Sequence, residues 1–97
     1  MASVKYAARA FSDLERLAEF LSQVDKLLAR RTMMLIEEAV KALARHPFLG
    51  RPVESGLSEL VVSHGKTGYL VLYRIDETHD VVMILAMRHQ CEGGYFK

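Results

Sequence analysis

A chain of 97 residues, 51% of them apolar, is enough for one domain with its own core, taken here as residues 1–97. Thirteen basic and twelve acidic side chains leave a formal charge of +1, which argues against a general polyanion binder. The single cysteine excludes an internal disulfide, no apolar run reaches the roughly 18 residues of a membrane span, and the first residues lack a secretory signal's apolar stretch. A cytoplasmic protein is expected.

Residues 3–7 alternate in part and predict a short strand, at an edge or inside a sheet. Ser12 followed by Glu15 fits a capping box and predicts a helix starting there, or slightly earlier within residues 7–10. Phe11, Leu14, Leu17, Ala18 and Leu21 recur at helical spacing, with Asp13, Arg16, Glu19 and Gln23 elsewhere on the wheel. Asp25 is placed to cap a second helix running to about His46. Its stripe of Ala29, Met33, Ile36, Val40 and Leu43 is widened by Met34, Leu35 and Ala39, which predicts burial against more than one surface. The short connection implies an antiparallel helical hairpin. Pro47 ends the second helix, since it lacks an amide proton and disfavours helical geometry before it.

A loop over 47–56 precedes three strand-like runs, 57–63, 69–75 and 81–88. Their connections are short, so they are antiparallel neighbours. Both parities of the last two runs are apolar, and two helices cover only one sheet face; the other is expected to stay open for a partner. The fold class is α+β: a short N-terminal strand and a helical hairpin packed on a mainly antiparallel sheet.

The last strand ends in Arg88-His89-Gln90, with Cys91 and Tyr95 beyond it. If the final hairpin closes over residues 76–80, Arg74 lies near Val82 and Arg88 near Gly68, roughly 20 Å apart, with Glu59 near Tyr73. The residues able to share a site are then Arg88, His89 and Tyr95, with His64 and Lys66 from the neighbouring turn. Arg88 and His89 point to opposite sheet faces if the strand is regular. A histidine can move a proton and an arginine can stabilise a phosphate, but a polar strand end also serves simply to anchor a tail. The basic stretches at Arg30-Arg31 and 45–51 read as solvated faces. His46, His64 and His79 sit in separate turns, His89-x-Cys91 is not a zinc spacing, and no glycine-rich phosphate loop occurs, so no metal or cofactor is expected.

Taken in order, His46-Pro-Phe-Leu-Gly-Arg51, Leu57-Ser-Glu-Leu-Val-Val62, Gly68-Tyr-Leu-Val-Leu-Tyr-Arg74 and Ile84-Leu-Ala-Met-Arg-His-Gln90 resemble the RelE/ParE toxin superfamily over essentially the whole chain. The resemblance implies a small toxin neutralised by a cognate antitoxin in a hetero-oligomeric complex. It also implies one of two actions. RelE-like members cut messenger RNA on the ribosome with basic residues and a C-terminal aromatic; ParE-like members inhibit DNA gyrase and are not nucleases. Where RelE-like toxins carry an arginine at the start of the middle strand, this chain has Leu70, and where they carry lysines or a glutamate it has Leu60, Val61, Val62 and Ser63. The expectation is therefore a ParE-like, non-enzymatic gyrase inhibitor with partner contacts at Arg51, Arg74, Arg88, His89, Gln90 and Tyr95. The alternatives are a ribosome-dependent endoribonuclease using Arg88, His89 and Tyr95, and an inactive member that retains only antitoxin binding.

Overall fold

The computed structural model describes residues 1–64 and 67–90. Strand β1 (Ser3–Tyr6) leads through Ala7 into helix α1 (Ala8–Val24), and α2 (Lys26–Arg45) follows after one residue. That residue is Asp25, which caps α2 as its sequence implied: one carboxylate oxygen accepts from the amides of Leu27 at 2.9 Å and Leu28 at 3.3 Å. The capping box at Ser12 does not form. α1 starts at Ala8 with no side-chain cap, because the Ala7 amide is still held by the sheet, donating to the Ile84 carbonyl at 2.8 Å, and the helix follows at once.

Beyond α2, the chain forms a two-residue strand β2 (Arg51–Pro52), a 3-10 turn at Glu54–Gly56, and strands β3 (Ser58–His64), β4 (Thr67–Asp76) and β5 (Val81–His89). The sheet order is β1-β5-β4-β3-β2, with β1 parallel to β5 and every other pair antiparallel. β5, the last of the described strands, is thus next to the first, and both helices pack on the same face. That face carries Leu60 and Val62 of β3, Tyr69, Val71 and Tyr73 of β4, and Val82, Ile84 and Met87 of β5, all buried with Leu17, Leu21, Ile36, Val40 and Leu43 of the helices. Among the described residues, no helix is long and apolar enough to cross a membrane.

Three expectations fail in the packing. Phe11 is 52% exposed and stacks on Tyr6, with ring centroids 5.1 Å apart, so it sits at the lip of the core and not within it. Met34 is likewise exposed, and Thr32 takes a buried place in the α2 stripe. The opposite, outer sheet face is not open along its centre: Leu70, Leu72 and Ala86 are all buried. Cross-strand neighbours about 5 Å apart shield one another. Val61, near the edge, keeps 43% of its surface.

Candidate functional site

The strand end is shaped by a β-bulge. Tyr73 pairs with Ile84 and Leu72 with Ala86, so Leu85 is an extra residue in β5. Up to Ile84 the even residues of β5 face the helices; after Leu85 the odd ones do. Arg88 therefore shares the outer face with its partner Leu70 and with Val61, while His89 lies on the helix side in a row with Tyr69 and Val62. The opposition of Arg88 and His89 is as expected. Their partners differ from the counted register: Arg74 lies opposite Met83 and Glu59 opposite Leu72, each one residue from the count across its turn, and the bulge adds a further residue at Arg88, which lies opposite Leu70. Five residues still separate Met83 from Arg88, roughly 16 Å along the strand.

On the helix side, the His89 ring meets Tyr69 edge-on with centroids 5.2 Å apart. Burial pushes the Tyr69 phenol up, with a hydrogen bond to the buried Thr32 of α2 acting against it. On the outer side, the Arg88 guanidinium folds back onto its own strand end, donating to the carbonyls of His89 at 3.3 Å and Gln90 at 3.4 Å. The Gln90 amide donates to the Gly68 carbonyl at 2.9 Å, and its carboxamide lies over Gly68. Tyr95, Lys66 and Cys91 lie outside the described residues.

Arg51 and Arg74 also belong to the outer face but stand apart from Arg88. Arg51 is exposed and pairs at 2.8 Å with Glu59, whose side chain is only 8% exposed. The loop that presents it is held by Tyr73: the fully buried hydroxyl donates to the Pro47 carbonyl at 2.7 Å and accepts from the Gly50 amide at 2.9 Å. A Cβ on Gly50 would come within 2.7 Å of both that hydroxyl and the Glu59 carbonyl, so the Pro-x-x-Gly-Arg motif has a direct steric basis. With Lys5 and Arg74 beside Met83, the outer face carries four cations among the described residues. Its acids, Glu59 and Asp76, are engaged by Arg51 and His79. No group of His, Cys, Asp or Glu side chains among the described residues is placed to hold a metal ion.

The family model for the ParE toxin of the type II toxin–antitoxin system parDE matches residues 4–92. The chain belongs to the RelE/ParE superfamily of type II toxins. Members similar to it include the RelE3 toxin of Caulobacter vibrioides, 37% identical over 95% of this chain and 98% of that one, and its RelE2 toxin, 32% identical over 92% and 96%. Among solved structures, the RelBE2 complex from Mycobacterium tuberculosis matches with a TM-score of 0.66 at 28% identity, covering 92% of this chain and 98% of that one. A chromosomal ParDE system from P. aeruginosa shares the fold, with a TM-score of 0.71 at 23% identity over 90% and 94%.

Relative to the superfamily pattern, two features were not found by reading motifs. One is a groove of about 1170 Å³ between α1, α2 and β1, with Val4, Tyr6, Phe11, Leu14, Met33 and Val40 in its lining and charged residues such as Glu15, Glu37 and Lys41 around them. Burial, with a smaller push from the Glu37 carboxylate, raises the Tyr6 phenol. Exposed Phe11 and half-buried Met33 within helical stripes were its only sequence signal. The other is Asp13, 4% exposed on α1, which accepts from the Met87 amide at 3.0 Å. Its partner is 74 residues away, so no local pattern announces it.

Proposed function

We propose that this toxin acts without cutting nucleic acid, as a ParE-like inhibitor of DNA gyrase, and that a cognate antitoxin silences it. Both RelE and ParE names occur among its relatives, so the choice rests on the site. The observation that carries it is the row Val61–Leu70–Arg88 on the outer face. The arginine at the strand end has two apolar neighbours across the sheet, and His89 points away to the helices. A nuclease site needs cations and an acid–base group converging on one phosphate, and each contributes about 10²–10⁴ in rate. Glu59 is two strands away and tied to Arg51. The groove between the helices and β1 fits the apolar face of an antitoxin helix.

The test pairs two assays on the purified chain: gyrase supercoiling, and messenger cleavage on translating ribosomes. Loss of supercoiling without cleavage is the expected result; cleavage abolished by His89→Ala, with supercoiling intact, overturns it. One observation favours that second outcome, namely the four cations Lys5, Arg51, Arg74 and Arg88 on a single sheet face, which suit a phosphate backbone. Normal growth on overproduction of the chain alone, with neither activity, indicates a member that retains only antitoxin binding.

A further inference from the structure

Asp13 is a carboxylate withdrawn from solvent at the one place where β5 loses its neighbour. β1 ends at Tyr6, and past Ile84 the helix α1 runs beside β5 in its stead. The Ile84 carbonyl accepts from Ala7, so Ile84 presents its peptide groups to the β1 side. Regular alternation would put residues 86 and 88 on that side too. The extra Leu85 changes the phase, and the Met87 amide faces α1 instead, where Asp13 Oδ2 receives it at 3.0 Å. The other oxygen, Oδ1, is met by Arg9 at 3.1 Å and Arg16 at 3.7 Å, both half-exposed, which balance the charge from the solvent side.

The hydrogen bond is therefore available only in the bulged phase, and phase decides the face of every later residue. We infer that Asp13 is a positioning residue: by accepting from the Met87 amide it holds the Leu85 bulge, and so sends Arg88 to the outer face and His89 to Tyr69. In the unbulged alternative the two side chains exchange faces. Either function considered above uses these side chains on defined faces, so the inference deepens that reading. Its test needs neither target nor antitoxin, and its failure is distinguishable from theirs.

The experiment is amide hydrogen exchange and nuclear Overhauser spectroscopy on the whole chain, comparing wild type, Asp13→Asn and Asp13→Ala. Asp13→Ala is expected to speed exchange at Met87 by about 30-fold beyond any change at Ile36, buried in the middle of α2, and to weaken the contact between the His89 and Tyr69 rings. Asp13→Asn keeps a neutral acceptor; the ring contact should persist while Met87 exchanges roughly 10-fold faster. If Asp13→Ala does not fold, the asparagine variant decides alone. Exchange at Met87 that rises no more than at Ile36 overturns the inference, as does an unchanged His89–Tyr69 contact in a folded Asp13→Ala.

Discussion

Replacing Tyr73 with phenylalanine removes one hydroxyl that serves two backbone groups of the loop carrying Arg51. The Gly50 amide is buried and loses its acceptor; a buried donor left unpaired costs about 1–3 kcal/mol. Pro47 is only partly buried, so its carbonyl can turn to water and adds little. The expected loss is about 2 kcal/mol, which in a domain of this size lowers Tm by roughly 8–16 °C. Urea unfolding should show a lower midpoint with an unchanged slope, because the surface exposed on unfolding is the same. Gly50→Ala attacks the same junction from the other side, placing a methyl 2.7 Å from the Tyr73 hydroxyl and from the Glu59 carbonyl. In the double variant one of those collisions is gone, so its destabilisation should fall short of the sum by more than about 0.5 kcal/mol. A Tyr73→Phe loss below about 0.5 kcal/mol, with additive effects in the double variant, would refute this account of the loop.

Asp25→Ala should cost about 1 kcal/mol by removing the cap that starts α2, seen as a lower urea midpoint; no change would mean that the two amide bonds contribute nothing. Ile84→Asp puts an unpaired charge at a position with no exposure and should abolish soluble folded protein, whereas Val61→Asp, at 43% exposure, should change stability by no more than about 0.5 kcal/mol; equal circular dichroism melts for the two would contradict the assigned faces. In the turn before β5, the His79 side chain and then its amide hold the Asp76 carboxyl below the usual carboxylate range. The associated stabilisation is present above the ordinary aspartate pKa and lost as pH falls through the depressed one. Carbon-13 titration should give a low midpoint for Asp76 that rises in His79→Ala, and an unmoved midpoint would refute the pairing.

Features set by neighbouring residues were legible in the sequence, and those set by distant ones were not. Asp25 declared itself because capping is a matter of two or three residues, and Pro47 because it forbids a helix on its own account. Ser12 misled for the same reason: its sequence matches a capping box, but the end of β1 and its bond to Ile84 fix where α1 begins. The Leu85 bulge could not be read, since both parities of β5 are apolar and periodicity says nothing about a change of phase. Asp13 looked like a solvent-facing polar residue because its partner is an amide in the last strand. At the site, the separation of Arg74 from Arg88 was accessible by counting, while the face of Arg88 depended on the bulge. β2, with two residues, is too short to carry any pattern.

The place of β5 also has a consequence for how the toxin comes into being. It is the last of the described strands, yet it lies between β1 and β4 and supplies Val82, Ile84 and Met87 to the centre of the core. Until residue 89 has left the ribosome, the first strand has no neighbour to join and the helical hairpin has no finished floor to rest on. Contacts of such long sequence separation form late. Folding of the sheet is accordingly a late event of synthesis, one that waits on the final third of the chain rather than on the helices that come first.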